Sequence, residues 1–118
     1  MTCPTYRTLD GSMITELIRP ESDGSARLSV ARAVINPGQR THLHRHHASD
    51  EVYYVLAGEG VLVVDAHQIP VQPGEAHQIL AGSEHCITCT GPEPLTILCL
   101  CAPPYQHEDT QITEAVTA

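Results

Sequence analysis

The segment Gly38-Gln-Arg-Thr-His-Leu-His-Arg-His-His-Ala-Ser-Asp-Glu51 decides the fold and the chemistry of this chain. Alternate side chains of a β-strand share one face, so His44 and His46 are expected to point the same way. A turn over residues 47–50 allows Glu51 to open the next strand and to return beside them. Two imidazoles and one carboxylate around a point are ligands for a divalent transition metal. The other interpretation of this histidine cluster is a solvated polar loop.

Proline and glycine interrupt the chain at short intervals, as at Pro37-Gly38, Pro73-Gly74 and Gly91-Pro92. The runs between these breaks are rich in Val, Ile, Leu and Thr, and none shows a helical repeat that starts at a cap, so they predict strands. The predicted strands are 12–18, 27–35, 41–46, 51–57, 61–64, 69–72, 75–80, 85–89 and 95–101. Many short strands in one small domain indicate an all-β fold, either a β-sandwich or a barrel.

The spacing of glycines, histidines and glutamate resembles the two motifs of the cupin family. Gly38-x5-His44-x-His46-x4-Glu51-x6-Gly58 is similar to the first motif at every defining position. The second motif, Gly-x5-Pro-x-Gly-x2-His-x3-Asn, is matched in part by Gly74-x5-Leu80-x-Gly82-x2-His85-x3-Cys89. Leu80 and Cys89 replace the family's proline and asparagine, while both glycines and the histidine are kept. The chain thus resembles a small single-domain cupin.

This resemblance implies a small β-barrel of the double-stranded β-helix, or jelly-roll, type. It implies one domain over residues 1–118, with a barrel core at about 26–102 and with the strand 12–18 and the polar tail 103–118 at its periphery. It also implies one divalent transition metal per chain, with Mn or Fe favoured over Ni, Zn, Co or Cu. The implied metal ligands are His44, His46, Glu51 and His85. A cupin that has lost its metal is the alternative, although such a chain usually loses a ligand.

Two further residues are candidates for catalysis. Tyr53 shares a face with Glu51, so its hydroxyl is expected either to reach a metal-bound substrate or to be satisfied within the core. His77, on the strand before the second-motif turn, is the best remaining histidine for the pocket, and Glu75 beside it is a possible proton carrier. His42 lies on the face of His44 but, like His47, falls on no ligand position, so surface or supporting roles are expected for both.

The cysteines and one arginine allow several interpretations. Cys86-x2-Cys89 has zinc-ribbon spacing, but residues three apart on a strand face opposite sides and no second pair follows, so two small, semi-buried residues are expected. Cys89 shares strand parity with His85 and adds a possible soft donor. Cys99 and Cys101 share a face, where filling a barrel layer is favoured over binding metal. Arg32 interrupts an apolar strand, either facing outward, which is favoured, or gripping a carboxylate inside.

Composition excludes several classes of function. The chain has 118 residues with six arginines, no lysine, 14 acidic residues and a net charge of −8, so lysine Schiff-base chemistry and a P-loop are excluded. The negative charge and the lack of Trp and Phe argue against binding nucleic acid or an anionic membrane. No apolar run approaches the ~20 residues that span a bilayer. Five cysteines, without the features of a signal peptide, favour a reduced, cytoplasmic protein.

These observations lead to a metal-binding cupin that acts on a small oxygenated organic molecule. Four protein ligands leave about two adjacent positions of an octahedral metal for a substrate or oxygen. A dioxygenase-like oxidoreductase is the first hypothesis, and a redox-neutral isomerase, epimerase or cyclase is its alternative. A cupin that binds a small ligand without turnover is a hypothesis of another class. Edge strands also predict a homodimer, with residues 12–18 and the tail at the contact.

Overall fold

Short β-strands joined by turns make up the computed structural model, which describes residues 5–19 and 27–115. The strands are β1 (Thr5–Arg7), β2 (Met13–Ile18), β3 (Ser29–Ile35), β4 (His44–His46), β5 (Asp50–Ala57), β6 (Gly60–Val64), β7 (His67–Val71), β8 (Ala76–Ile79), β9 (His85–Cys89), β10 (Leu95–Ala102) and β11 (Thr110–Ile112). Within the described ranges the one helical element is a 3₁₀ turn at His107–Asp109. No helix of this part of the chain has the length and apolar character needed to cross a membrane.

Each of the nine predicted strands is present, with ends that shift by a few residues. The largest change is at β4, where the predicted strand 41–46 shortens to His44–His46. Two three-residue strands, β1 and β11, were not predicted, because segments this short show no hydrophobic alternation. β11 lies in the tail that was expected at the periphery, of which residues 116–118 fall outside the described part.

The strands form two antiparallel sheets that face each other as a jelly roll. The first sheet has the order β1-β2-β3-β10-β5-β8, and the second has the order β11-β4-β9-β6-β7. The all-β fold predicted from the sequence is therefore confirmed. β4 and β11 lie at one side of the second sheet, so the histidine strand is paired with the tail strand on one side and with β9 on the other.

The core lies between the two sheets and follows from alternation along the strands. On β5 the side chains of Glu51, Tyr53 and Val55 are buried, while Tyr54 and Leu56 are exposed on the opposite face. Burying a large aliphatic side chain contributes roughly 1.5–3 kcal/mol, so the interior aliphatic residues dominate the stability. Members of this core include Ile35, Val55, Leu62, Val71, Ile79, Ile87, Leu95 and Ile97. Arg32 is exposed on β3, which confirms the favoured outward orientation.

Strand register brings together polar residues that are far apart in the sequence. His44 on β4 lies opposite His85 on β9. On the facing sheet, Glu51 of β5 lies opposite Cys101 of β10. Residues directly opposite in an antiparallel pair project to the same face, so each pair directs both side chains into the space between the sheets.

Gly58, in the tight turn between β5 and β6, is required by both conformation and space. Its φ is +85°, and a Cβ added there would lie 2.5 Å from Pro94 O and 2.8 Å from Leu95 Cα. Gly74 has a similar φ of +91° with nothing within 4 Å of an added Cβ.

We expect Gly74→Ala to lower the free energy of unfolding by about 1–2 kcal/mol, because alanine is strained in a left-handed backbone. Gly58→Ala should lower it by at least about 2 kcal/mol more, because the added Cβ also clashes with the backbone. Urea unfolding measures both; equal losses in the two variants would contradict the steric explanation.

Candidate metal centre

Four potential ligands converge between the sheets, and they are the four implied by the cupin motifs. One ligand atom from each of His44, His46, Glu51 and His85 lies within 4.8 Å of the others. All four side chains are buried, with exposed fractions between 0% and 5%. Such burial is incompatible with a solvated loop, because polar groups buried together must be paired or bind an ion.

Hydrogen bonds fix the orientation of the His44 and His85 rings. His44 Nδ1 lies 2.6 Å from the carbonyl oxygen of His42, and His85 Nδ1 lies 2.9 Å from that of Ser83. A carbonyl oxygen only accepts, so each Nδ1 carries the hydrogen and donates it. In the neutral rings Nε2 is left with its lone pair, which is the form that binds a metal.

A short chain of hydrogen bonds orients His46 in the same way. His46 Nδ1 lies 3.0 Å from Thr110 Oγ1, and this hydroxyl donates over 3.1 Å to the carbonyl oxygen of Gln106. Because its proton is used there, the hydroxyl accepts from His46 Nδ1. Thr110 lies opposite His46 in the β11–β4 register, so the tail strand supplies this support. The tail therefore helps to orient one of the potential metal ligands.

Glu51 provides the charge of the cluster. Its Oε1 lies 3.1 Å from His85 Nε2 and 3.4 Å from His46 Nε2, and its Oε2 accepts from the Cys101 thiol over 3.4 Å. Burial acts to raise the pKa of Glu51, but hydrogen bonds from His46 and His85 outweigh it and hold this pKa well below its usual range. The carboxylate is therefore ionised at neutral pH.

The histidines respond differently to the same surroundings. Burial, followed by the nearby His85, lowers the pKa of His44. Burial also acts to lower the pKa of His46, but the hydrogen bond and the charge of Glu51 outweigh it, so this pKa is raised. His44 thus favours the neutral form, whereas Glu51 favours the protonated form of His46, and a bound cation would compete with that proton.

A cavity of about 40 Å³ lies beside the cluster. This volume admits roughly three water-sized groups, so only a small part of a ligand fits against the centre. The apolar part of its lining includes Ile14, Ala33, Ile35, Ile87 and Ile97. Polar side chains in the lining include His46, Glu51, Tyr53, Tyr105, Thr110, Thr8, Asp10 and Ser12.

Tyr53 lines the cavity and also belongs to the hydrophobic core, so which of its two expected roles the hydroxyl takes stays a prediction. It is 3% exposed and its ring packs edge-on against His85, with 6.0 Å between centroids. Burial, and then the charge of Glu51, raise the pKa of Tyr53 well above its ordinary value. Its phenol therefore keeps its proton and is available as a hydrogen-bond donor in the cavity.

His77 shares the face of Tyr53 but not its position at the cavity. The two residues lie opposite in the β5–β8 register, but β8 is at the edge of the sheet. His77 Nε2 lies 3.1 Å from Glu75 Oε1, and neither residue is among those that line the cavity. His77 and Glu75 therefore contact each other and not the centre.

The described cysteines are free thiols, and two of them are close to the centre. Cys99 and Cys101 line the cavity, and Cys101 donates to Glu51. Burial raises the pKa of both thiols, so they remain protonated. Cys89 is buried and donates over 3.1 Å to the carbonyl oxygen of Glu93, not toward the cluster. Cys3 lies outside the described residues.

Asp10 is a polar neighbour of the centre that no motif in the sequence indicates. Its Oδ2 lies 3.4 Å from His44 Nε2, and the residue lines the cavity. Asp10 belongs to the turn that joins β1 and β2, far upstream of the histidines. The run Thr8-Leu-Asp-Gly-Ser12 is a turn signal, and only the folded hairpin places it against β4.

The donor set fits a divalent transition metal. Three Nε2 atoms, which offer lone pairs once the rings are neutral, converge with one ionised carboxylate, and every Nδ1 is occupied by an oxygen partner. Imidazole and carboxylate together suit Mn, Fe, Co, Ni, Cu or Zn. A divalent cation would also balance the charge that the buried Glu51 brings into the barrel.

The two sheets and this site define a cupin, and comparison with known proteins agrees. The Cupin domain family model matches residues 31–101. The chain therefore belongs to the cupin family. The structure of a predicted oxalate decarboxylase from Thermotoga maritima superposes with a TM-score of 0.75 at 26% identity, over 86% of this chain and 92% of that chain.

Relatives by sequence carry different names. An uncharacterised protein of Methanocaldococcus jannaschii is 41% identical over 109 residues, which are 92% of this chain and 87% of the relative. The oxalate-binding protein of Thermotoga maritima is 35% identical over 58% of this chain and 56% of its own length. L-Ectoine synthase of Bordetella parapertussis is 29% identical over 76% of this chain and 69% of its own. Family membership is thus compatible with several activities.

Replacement of His44 and His85 together by alanine is expected to abolish metal binding, because it removes two of the three imidazole donors. Elemental analysis of freshly purified protein measures the metal content. The matched control is the double replacement of His47 and His67, which are exposed and outside the cluster, and which should leave the content unchanged. Stoichiometric metal in the His44/His85 variant would show that the ligand set is wrong.

Proposed function

We propose that the chain is a cytoplasmic, metal-dependent cupin enzyme that acts on a small oxygenated organic molecule. The observation that supports this most is the convergence of three oriented imidazoles and an ionised carboxylate beside a cavity. The free thiols of the described cysteines support a reducing compartment. The small cavity volume supports a ligand that presents only a few atoms to the centre.

The residues around the cavity have separable roles in this proposal. His44, His46, Glu51 and His85 hold the metal, which supplies Lewis acidity toward a substrate oxygen. Tyr53, kept protonated, donates a hydrogen bond to a substrate oxygen in the cavity. The apolar wall excludes water from the side of Ile35 and Ile97.

Two reaction types use such a centre. We place a redox-neutral reaction first, because Tyr53 offers a proton donor in the cavity and because one relative is named as a synthase of L-ectoine. A dioxygenase-like reaction is the second candidate, supported by the apolar wall, which suits a small apolar co-substrate. Binding without turnover is the third, and it is supported by the relative named as an oxalate-binding protein.

Exchange of the metal separates these candidates. Protein loaded with Zn²⁺ or with Fe²⁺ is incubated with a panel of small hydroxy acids, keto acids and sugars, in air and without oxygen, and products are followed by NMR. A redox-neutral enzyme is expected to turn over with Zn²⁺ and without oxygen, because Lewis acidity needs no change of oxidation state. Activity restricted to Fe²⁺ in air would contradict this choice and favour the dioxygenase. Saturable binding without product from any member would favour the non-catalytic cupin.

We also propose that the chain is a homodimer. Among the described strands, β1 lies at the edge of the first sheet, and the outer face of that sheet exposes Tyr54, Leu56 and Leu100 by 37–44%. Open edges and exposed apolar side chains both favour association between copies. Light scattering is expected to give a mass twice the 12.8 kDa of one chain. A mass of one chain at micromolar concentration would contradict the proposal.

A further inference from the structure

The Asp10 carboxylate is held by its own turn at one oxygen and is directed toward the cavity at the other. Asp10 Oδ1 accepts from the Ser12 backbone N–H at 3.0 Å, from the Ser12 hydroxyl at 2.7 Å and from the Thr8 hydroxyl. Three donors to one oxygen set the rotamer of the side chain. The second oxygen, Oδ2, accepts none of these three hydrogen bonds, and Asp10 is among the residues that line the cavity.

Asp10 Oδ2 lies on the metal-facing side of His44. Its neighbour at 3.4 Å is His44 Nε2, and this is the nitrogen left with a lone pair once Nδ1 donates to the carbonyl oxygen of His42. Asp10 is nevertheless outside the group of four converging ligands. Its carboxylate therefore stands beside the metal position and faces the molecule that binds there.

His42 ties Asp10 to the centre through the backbone. The His42 N–H donates over 2.7 Å to the carbonyl oxygen of Asp10, while the carbonyl oxygen of His42 accepts from His44 Nδ1. One residue thus positions both the aspartate and the ligand imidazole. The link is made by the backbone of His42, which lies two residues before the start of β4.

The charge count at the occupied centre follows from these side chains, and it rests on the metal binding proposed above. A divalent cation adds +2, and the carboxylates of Glu51 and Asp10 each carry one negative charge. The three neutral imidazoles add nothing, so the sum is zero. A dicarboxylate brings two more negative charges to this neutral centre, whereas a hydroxyl group brings a donor that Asp10 Oδ2 can accept.

We propose that Asp10 is a specificity-determining residue that makes this site favour hydroxyl-bearing molecules over dianionic dicarboxylates such as oxalate. In this role Asp10 accepts a hydrogen bond from a hydroxyl of the bound molecule and repels a second carboxylate. The substrate class of the enzyme is then a neutral or singly charged molecule with a hydroxyl group. This separates the chain from the relative that is named for binding oxalate.

A purely structural role of Asp10 in its turn is the competing explanation, and Asp10→Asn distinguishes the two. The asparagine carbonyl oxygen can still accept from Ser12 and Thr8, so the turn keeps its hydrogen bonds. The amide removes the charge and places a donor at the position of Oδ2. The matched control is Asp65→Asn, which makes the same change in another turn, where Asp65 Oδ1 accepts from the Glu84 N–H at 2.9 Å, outside the cavity.

The experiment compares two small chelators of different charge. Wild type, Asp10→Asn and Asp65→Asn are loaded with Mn²⁺, checked for metal by elemental analysis, and titrated calorimetrically with oxalate and with glycolate near pH 7.5. Both probes have two carbons, but oxalate is a dianion and glycolate is a monoanion with one hydroxyl. We expect Asp10→Asn to raise the ratio of oxalate to glycolate affinity by at least about tenfold, because a nearby like charge is removed and the hydroxyl loses its acceptor. Asp65→Asn should keep the wild-type ratio.

Each result decides one claim. A ratio in Asp10→Asn within about threefold of wild type, with metal retained, overturns the role of Asp10 and leaves the proposed metal centre standing. An equal rise in Asp65→Asn also overturns it, because the effect would then follow net charge alone. Wild-type protein that takes up no Mn²⁺ overturns both the metal centre and the inference that rests on it.

Discussion

The buried carboxylate of Glu51 is the constraint on which the rest of this structure depends. An ionised group that is 5% exposed is costly inside a protein unless positive charge and hydrogen bonds compensate for it. Here the compensation comes from His46 and His85 and, at the other oxygen, from the Cys101 thiol. A bound cation would complete it. The barrel interior is therefore organised around a charge rather than around a purely apolar core.

Meeting that constraint requires both sheets. Glu51 and Cys101 come from neighbouring strands of the first sheet, whereas the three histidines come from β4 and β9 of the second. Their atoms meet only because the sheets pack face to face with this register. A slip of one residue in β5 would turn Glu51 outward and bring a neighbouring residue inward, so the hydrophobic alternation that specifies the core also specifies the centre.

Local patterns were sufficient to predict that His44, His46 and Glu51 converge, whereas His85 was implied by the resemblance to the cupin motifs. Alternation sets which side chains share a face, and a single turn joins the consecutive strands that carry His44, His46 and Glu51. His77 was the best remaining histidine for the pocket, but alternation along a strand carries no information about distance from the cavity. The position of His77 is decided by tertiary structure, because β8 lies at the edge of the sheet and His77 contacts Glu75 there rather than the centre.

Contacts from the two ends of the chain could not be predicted, because they join segments that no local pattern connects. Thr110 orients His46 from a three-residue strand, and Asp10 reaches His44 from a turn near the start of the chain. Cys101 was expected to fill a barrel layer, and only the β5–β10 register shows that its thiol meets Glu51. Short strands and turns have too few residues to display a period, so their partners become visible only in the folded barrel.

The cavity is lined both by residues within the family motifs and by residues outside them. The family model matches residues 31–101, which include all four converging ligands. Asp10, Tyr105 and Thr110 line the same cavity from outside that range. The family model therefore covers the donor atoms and most of the cavity lining, including Ile35, Tyr53 and Ile97, while the N-terminal turn and the tail add polar groups that the motifs do not describe. Asp10 is the carboxylate that the N-terminal turn adds in this chain.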